Sequence, residues 1–422
     1  MFTPQYYTKV TNRASFMNNE VLHHRLMLAA CVCMMAGFVT SRVAVSVSMF
    51  VLAGLAALHS RPATIWQNFR SRPALVALTL PFVAVFLSGL YSDNIEEWIA
   101  GLRIKLPFLV LPVVFAGLPK LGKKHIVILL YSYIFIFFIC TSVVLANYVI
   151  HSEQVNQQFL RGGGIPVPFS HVRYSLMLSF SFFVAIYLLR NKLFLQYDRE
   201  KYPLLFYAVF SFIAVHVLAV RSGILALYAG LLLGWVVYVV RGKKYLTGIL
   251  LLGIIVAVPF VAYHFSPTMQ NKWKYMVYNW KEFRSGNINY QYDGMRYMSI
   301  YNALAVWKKY PVFGCGAGDL TEEINRMYAK TYPALLPENR LMPHNQFAWT
   351  AASTGLVGLV MLLLAVTLSI LSEKNYRNLL PAVFWLIILS SLFTEATFEE
   401  QMGTAFYLLF TLLFLTQKFP DA

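Results

Sequence analysis

Residues 126–150 read IVILLYSYIFIFFICTSVVLANYVI, an apolar run that carries no charged side chain. A helix needs about 20 such residues to cross the hydrocarbon core of a bilayer. In lipid, only helices and closed barrels satisfy every backbone polar group, and barrel strands alternate apolar with polar side chains. Neither this run nor residues 246–261 alternate in that way. The sequence therefore predicts an all-α polytopic membrane protein.

Composition agrees with this fold class. The chain is 58% hydrophobic and 13% charged, whereas soluble domains carry roughly 25% charged residues. The net charge of +17 is typical of basic cytoplasmic loops that contact lipid headgroups, so we expect membrane lipids as partners and no nucleic acid. The 4 cysteines have no metal-site or disulfide spacing. The first apolar run is followed directly by others, which indicates a retained span rather than a cleaved signal.

About twelve segments reach the length that a transmembrane helix requires. The fourth is short, which suggests a tilted or partly interfacial helix, and the seventh and eighth are separated only by a tight turn. The predicted spans centre on residues 26–40, 43–58, 75–90, 106–118, 126–150, 172–189, 203–220, 222–240, 246–263, 346–371, 379–393 and 403–416.

Basic and acidic connections alternate between these spans. One set carries clustered bases, as at residues 120–124, and the other is acidic or nearly neutral, as at residues 93–97. By the positive-inside rule, both termini are then cytoplasmic and the long polar segment faces outward. We expect a bundle of about nine spans over residues 1–264, a periplasmic loop over residues 265–343, and a bundle of about three spans over residues 344–422.

The predicted loop is rich in aromatic residues, which argues against disorder. Residues 295–310 predict an amphipathic helix, which Pro311 ends, with its apolar face formed by Met298, Ala303, Leu304 and Trp307. Glycines within residues 314–318 predict turns, and a second short helix is expected at residues 320–328.

Two arginines are candidates for binding an anion. Arg221 lies at the predicted outward end of a span, where it could snorkel to headgroups or clamp a phosphate through its planar guanidinium. Arg296 lies at the predicted start of the loop helix. It could lie on a solvated face or pair with Asp293, or it could make a second anion contact beside the exposed amides of the helix N-terminus.

His344 follows Pro343 and precedes a long apolar helix. A histidine at such a place can be interfacial or structural. Beside a helix N-terminus and two arginines, it could instead be a general base, which requires a neutral imidazole. We therefore predict His344, Arg221 and Arg296 as the catalytic residues.

Further polar residues gather at the predicted outward ends of the spans. His171 and Arg173, after the glycine run 162–164, are predicted to bind substrate, as is Glu399 in the last outward loop. The acids of that loop could orient His344, pair with arginines or bind acceptor hydroxyls, or could be ordinary outward charges. They are Glu395, Glu399 and Glu400. The acids at residues 93–97 lack a metal-binding pattern, so no metal site is predicted.

Three motifs occur in a fixed order: RSGILA at residues 221–226, WKKYPVFGCG at residues 307–316, and PHNQ at residues 343–346, with TGLVGL at residues 354–359. Together they resemble the motifs of the O-antigen ligase and polymerase superfamily, over roughly residues 170–371. The resemblance implies a fold similar to that of C-type membrane glycosyltransferases. It also implies that the family's arginine pair and histidine correspond to Arg221, Arg296 and His344, and it suggests Asn345 as a substrate contact.

Members of that superfamily move glycans from undecaprenyl diphosphate at the outer face of the bacterial inner membrane. The resemblance implies such a donor and, for a ligase, lipid A–core as the acceptor. The arginines would hold the diphosphate while His344 removes the acceptor proton, and direct attack would invert the anomeric centre. Neither a metal nor another cofactor is implied, because the diphosphate linkage already carries the energy.

Three alternatives stay open at this stage. A polysaccharide polymerase of the same superfamily shares these motifs. A transporter of lipid-linked glycan would require charges inside the spans and discontinuous helices at the midplane, and the predicted spans are nearly free of charge. A scaffold without catalysis is the third.

Overall fold

The computed structural model describes residues 20–160, 162–285 and 292–419. All regular secondary structure within these ranges is α-helical or 3-10 helical, which confirms the predicted all-α class. The α-helices, numbered here in chain order, are α1 (Glu20–Thr40), α2 (Arg42–His59), α3 (Pro62–Arg70), α4 (Pro73–Ala77), α5 (Leu80–Ser88), α6 (Ile95–Gly117), α7 (Lys123–Ile150), α8 (Ser152–Leu160), α9 (His171–Arg190), α10 (Lys201–Leu218), α11 (Arg221–Gly242), α12 (Tyr245–Phe265), α13 (Pro267–Arg284), α14 (Tyr292–Lys309), α15 (Leu320–Thr331), α16 (Gln346–Leu371), α17 (Leu379–Thr394) and α18 (Gln401–Thr416).

Among the described helices, nine are long and apolar enough to cross a membrane, so the chain is a multi-pass membrane protein. A tenth candidate is the pair formed by α3 and the segment Pro73–Ser88, which is bent by 93°. The other two predicted spans are α17 and α18, with 16 residues each. Such helices are about 24 Å long, less than the roughly 30 Å hydrocarbon core. Helix α18 is buried along nearly its whole length, so it contacts protein rather than lipid.

The fourth predicted span differs most from the sequence expectation. Instead of a short segment at residues 106–118, α6 runs from Ile95 to Gly117. Asn94 caps its N-terminus, because the side-chain oxygen accepts a hydrogen bond from the amide of Glu97 at 3.1 Å. The helix also includes Lys105, which is buried. The expectation that the spans carry almost no charge therefore needs this correction.

The core lies where α9 and α18 meet α7 and α17. Aromatic rings dominate it: the ring of Phe410 lies 4.9 Å from that of Phe180 and 5.1 Å from that of Tyr133. Phe384 lies 5.2 Å from Phe180. Such edge-to-face pairs contribute about 0.5–1.5 kcal/mol each beyond the burial of their area. This packing fixes the ends of α9 and α17, which carry residues of the candidate site.

Helix α16 is broken near its middle, at Gly355, whose φ of +66° is outside the helical region. The segment after Pro311 fills the break: Leu356 and Val357 donate hydrogen bonds to the carbonyls of Pro311 and Val312. A Cβ added to Gly355 would lie 2.3 Å from the Val312 oxygen, so only glycine permits this approach. The polar segment between α12 and α16 is thereby fastened to the membrane bundle.

Helices α14 and α15 confirm the two helices predicted in this segment, while α13 was not predicted. The predicted apolar face of α14 is only partly correct, because Leu304 is exposed and Trp307 is half-buried. The buried face of the helix also includes polar side chains. This face packs on Ile324 and Tyr328 of α15 and consists of Met295, Met298, Ser299, Asn302, Ala303 and Val306.

Candidate active site

A cavity of about 380 Å³ lies between α9, the α10–α11 turn, α13 and α14. We call it the arginine cavity, because Arg221 and Arg296 both line it, together with His171, Lys272 and the glycine run 162–164. No acidic residue belongs to its described wall. Two arginines from distant parts of the sequence, one on a span and one on a loop helix, therefore meet at one site whose lining favours an anion.

The N-termini of two long helices line the arginine cavity. Helix α9 begins at His171 and α11 begins at Arg221, and neither has a side-chain cap. The first amides of a helix lack intrahelical acceptors, and the helix dipole adds roughly half a positive charge there. The hydroxyl of Ser222 is buried and has no hydrogen-bond partner among the described residues. This arrangement suits a phosphate group.

The position of Arg221 depends on two unusual features of the backbone. Ala219 ends α10 in the left-handed conformation, with φ at +50°, and so forms the predicted tight turn. Gly223 lets α11 pack closely on α9: a Cβ added there would lie 2.5 Å from Cβ of Ser175. The hydroxyl of Ser179 also donates a hydrogen bond to the carbonyl of Gly223 at 2.9 Å. In the RSG motif, the glycine thus makes the close contact with α9 that holds the arginine in place.

Lys272 adds a cation that the sequence analysis missed. Its Nζ lies 3.4 Å from the carbonyl oxygen of Gly163 and 5.6 Å from the centre of the Tyr275 ring. Gly162 has φ of +89°, and a Cβ there would lie 2.6 Å from the hydroxyl of Tyr275. The glycine run therefore brings a loop against α13 and positions Lys272. Its position in the aromatic stretch after Pro267 was the sequence feature that could have identified Lys272 as a candidate.

Glu395 links Arg296 to His344. Arg296 Nη2 donates to Oε1 of Glu395 at 2.6 Å, and His344 Nδ1 lies 3.2 Å from Oε2 of the same carboxylate. Only 8% of the Glu395 side chain is exposed. A carboxylate can only accept hydrogen bonds, so Nδ1 carries the proton and Nε2 keeps the lone pair. This contact orients His344 as a base requires.

The charge state of Glu395 follows from its surroundings. Burial by itself raises the pKa of this carboxyl. The hydrogen bond from His344 and the positive charges of Arg296 and Arg173 outweigh burial and hold the pKa below its ordinary value of 4.5. Glu395 is therefore an anion near neutral pH, and it keeps both partners in place through charge-assisted hydrogen bonds.

The expectations about two helix N-termini have different outcomes. Helix α16 begins at Gln346 with Asn345 as its N-cap, so His344 lies just before a helix N-terminus, as expected, and its ring also contacts Glu395. Helix α14 begins at Tyr292, so Arg296 lies one turn inside it. The side chain of Asp293 lies outside the described residues. The helix amides beside the arginines are those of α9 and α11.

Residues 206–363 match the family model described as O-antigen ligase. The matched segment belongs to this family. It contains Arg221, Lys272, Arg296 and His344, covers a little over a third of the chain and ends before Glu395. This match supports the superfamily that the motifs indicated and a ligase- or polymerase-like function of the glycosyltransferase kind; the family in general implies lipid-linked glycans and lipid acceptors as substrates. No curated protein sequence matched the chain.

Other predicted residues lie outside the arginine cavity. Arg173 is buried and forms an ion pair with Glu400. Asn345 caps α16 by accepting a hydrogen bond from the amide of Ala348 at 2.9 Å, and its amide donates to the Phe393 carbonyl at 3.0 Å. These contacts give Arg173 and Asn345 structural roles. Substrate binding by either stays a prediction.

Glu399 lies at a different cavity. It accepts hydrogen bonds at Oε1 from Lys105, at 2.6 Å, and from Gln346, at 2.7 Å. Of the roles considered for the acidic loop, pairing with an arginine is observed for Glu395 and Glu400, and a contact that orients His344 is observed for Glu395. Glu399 pairs with a lysine instead. Lys105 was missed by the sequence analysis because it lies eleven residues inside a helix that was expected to begin after it.

Proposed function

We propose that the protein transfers a glycan from undecaprenyl diphosphate to a hydroxyl of lipid A–core, at the periplasmic face of the bacterial inner membrane. The observation that carries the proposal is the link from Arg296, in the arginine cavity, through Glu395 to His344. One carboxylate holds both a candidate anion-binding residue and a candidate base, so their relative positions are fixed.

The arginine cavity binds the diphosphate of the donor. Arg221, Arg296 and Lys272 supply positive charge, and the N-termini of α9 and α11 supply amides. As the bond between the anomeric carbon and the phosphate oxygen breaks, its electron pair goes to the diphosphate. Fixed cations and amides stabilise this developing charge more than they stabilise the ground state.

His344 acts as the general base for the acceptor. Nε2 takes the proton of the acceptor hydroxyl as its oxygen attacks the anomeric carbon, so the configuration inverts. Glu395 holds the imidazole in the required tautomer and stabilises the imidazolium that forms. General base catalysis of this kind contributes about 10²–10⁴-fold to a rate.

The exposed surface of α12 suits the approach of an isoprenoid carrier. Only 6% of the most apolar stretch of this helix is buried. The helix leads directly into α13, which carries Lys272. A polyprenyl chain could lie along this helix in the lipid while its diphosphate reaches the cavity. With basic connections on the cytoplasmic side, the cavity faces the periplasm and both termini face the cytoplasm.

A transfer assay with purified protein, lipid-linked donor and lipid A–core tests the proposal. We expect transfer by the wild type, and loss of about 10²-fold or more with His344→Ala. Near-normal transfer by His344→Ala would remove the general base. Unchanged donor binding after loss of both arginines would remove the phosphate clamp.

The glycan left in a deletion strain separates a ligase from a polymerase. Loss of a ligase leaves long chains on the carrier, whereas loss of a polymerase leaves products with a single repeat.

Two features match what a transporter would require: the charge of Lys105 inside a span and the break in α16 at Gly355. However, the backbone of residues 311–316 fills that break. Absence of transfer by the purified wild type, together with movement of donor across vesicles, would favour the transporter.

A further inference from the structure

A second cavity, of about 270 Å³, lies between α5, α6, the start of α15 and α16. We call it the Lys105 cavity. Its polar wall includes Lys105, Glu399, Gln346, Glu97 and Thr350, and Trp349 also lines it. None of these residues belongs to the phosphate clamp or to the base described above.

The charged groups Lys105 and Glu399 at this cavity form an ion pair inside the helix bundle. Lys105 is only 4% exposed, and its Nζ donates to the Phe398 carbonyl at 2.7 Å and to Oε1 of Glu399 at 2.6 Å. Gln346 donates to the same Oε1. A buried ion pair within a membrane span costs desolvation energy. Here it fixes the Glu399 carboxylate at the cavity wall, with Oε2 available to a further donor.

The lining favours a neutral ligand with many hydroxyl groups. The carboxylates of Glu97 and Glu399 accept hydrogen bonds from hydroxyls, and they repel phosphates. The hydroxyl of Thr350 can donate as well as accept. Trp349 offers an apolar face, and most of the remaining wall is apolar, as in small-molecule sites with a few placed polar groups. A sugar ring has this combination of surfaces.

Neighbouring positions of the same chain segment line the two cavities. Thr394 lines the arginine cavity, and Phe398 and Glu399 line the Lys105 cavity, with Glu395 between them in the sequence. Gln346 follows His344 by two positions. In a displacement with inversion, the attacking oxygen must approach opposite the leaving diphosphate. We infer that the Lys105 cavity holds the hydroxyl-bearing sugar of the acceptor and presents it to His344; this inference rests on the proposed function.

Filling the cavity tests this inference. Gly101 lines it, and the nearest atom to an added Cβ is 3.8 Å away, so a larger side chain enters the space without an immediate clash. We expect Gly101→Leu to raise the acceptor KM about tenfold or more, with the donor KM unchanged. Gly54→Leu is the matched control, since Gly54 has no atom within 4 Å of an added Cβ and lines neither cavity.

A second pair of variants tests the inference even if Gly101→Leu does not fold. Glu97→Gln removes an acceptor at the cavity wall, whereas Glu96→Gln changes a neighbour that does not line it. We expect only Glu97→Gln to raise the acceptor KM, with kcat at saturating acceptor retained. If the wild type transfers glycan and depends on His344, but neither cavity variant changes the acceptor KM, the inference is wrong while the proposed function stands. A raised donor KM instead would assign the cavity to the donor glycan and overturn the inference.

Discussion

His344 Nδ1 lies 3.2 Å from Oε2 of Glu395, across 51 positions of sequence. The other oxygen of this carboxylate holds Arg296 at 2.6 Å. The two residues that the proposed reaction needs on either side of the anomeric carbon are therefore positioned by one side chain. Damage to Glu395 should affect both.

The first prediction concerns Glu395→Gln. The amide keeps the shape but lacks the charge, and it can present a donor to Nδ1, which reverses the tautomer of His344. We expect the transfer rate to fall by about 10²-fold or more, with folded protein recovered in lower yield because Arg296 loses its buried partner. Transfer assays at equal folded protein check this.

Glu322→Gln is the control for Glu395→Gln. Glu322 also pairs with an arginine, Arg326, but both side chains are largely exposed, and such pairs contribute about 0–1 kcal/mol. Its transfer rate should match that of the wild type. Equal effects of the two substitutions would refute the orienting role of Glu395.

The second prediction concerns Arg221→Lys. Lysine keeps the charge but loses the planar fork that contacts two phosphate oxygens at once. We expect the donor KM to rise about tenfold, a loss near 1.4 kcal/mol, with the acceptor KM unchanged. Arg190→Lys, at an exposed position in the last turn of α9, should leave both constants unchanged. A donor KM unaffected by Arg221→Lys would exclude a forked phosphate contact.

The third prediction concerns the contact between α9 and α11. Gly223→Ala places a Cβ 2.5 Å from Cβ of Ser175, so the helices must separate and Arg221 must move. Overpacking of this kind costs about 1–3 kcal/mol. Gly234→Ala, in the same helix, meets no atom within 4 Å and should be neutral or slightly stabilising, because alanine favours helix. Thermal unfolding in detergent compares them, and equal stability of the two variants would contradict the close contact.

The fourth prediction concerns acid stability. The pKa of Glu395 is lower in the folded protein than its ordinary value of 4.5, so this group stabilises the fold above that value and loses its contribution as the pH falls through the lowered pKa. The pKa of Glu323, paired with Lys309 and Arg326, is lowered as well. Wild-type stability should be flat from pH 7 to about pH 5 as far as these carboxyls determine it, and should fall below. The decline should be smaller in Glu395→Gln, and an equal decline would contradict the assignment.

Features that depend on neighbouring residues can be predicted from the sequence, whereas contacts between residues far apart in the sequence cannot. Span positions follow from local hydropathy, and every predicted segment falls on helical structure, although residues 75–90 cover parts of two helices, α4 and α5. Arg221 and Arg296, which the family resemblance pairs, line one cavity. The Arg296–Glu395 contact joins residues 99 positions apart, and no local pattern selects Glu395 over its acidic neighbours. Lys105 directly precedes the predicted span at residues 106–118, so the sequence indicates a loop residue; only the contact with Glu399 shows that it is buried. Lys272 lies on α13, a helix that the sequence analysis did not predict.

The break at Gly355 also bears on how such proteins can diversify. Residues 311–316 complete the backbone hydrogen bonding of α16, and Cys315 and Gly316 donate to the carbonyls of Ala352 and Ser353. The polar segment and the first half of α16 are thus a single structural module despite their different composition. A chimera that exchanges only the polar segment between relatives would separate the two halves of this hydrogen-bonded joint, so the smallest exchangeable block extends past Gly355.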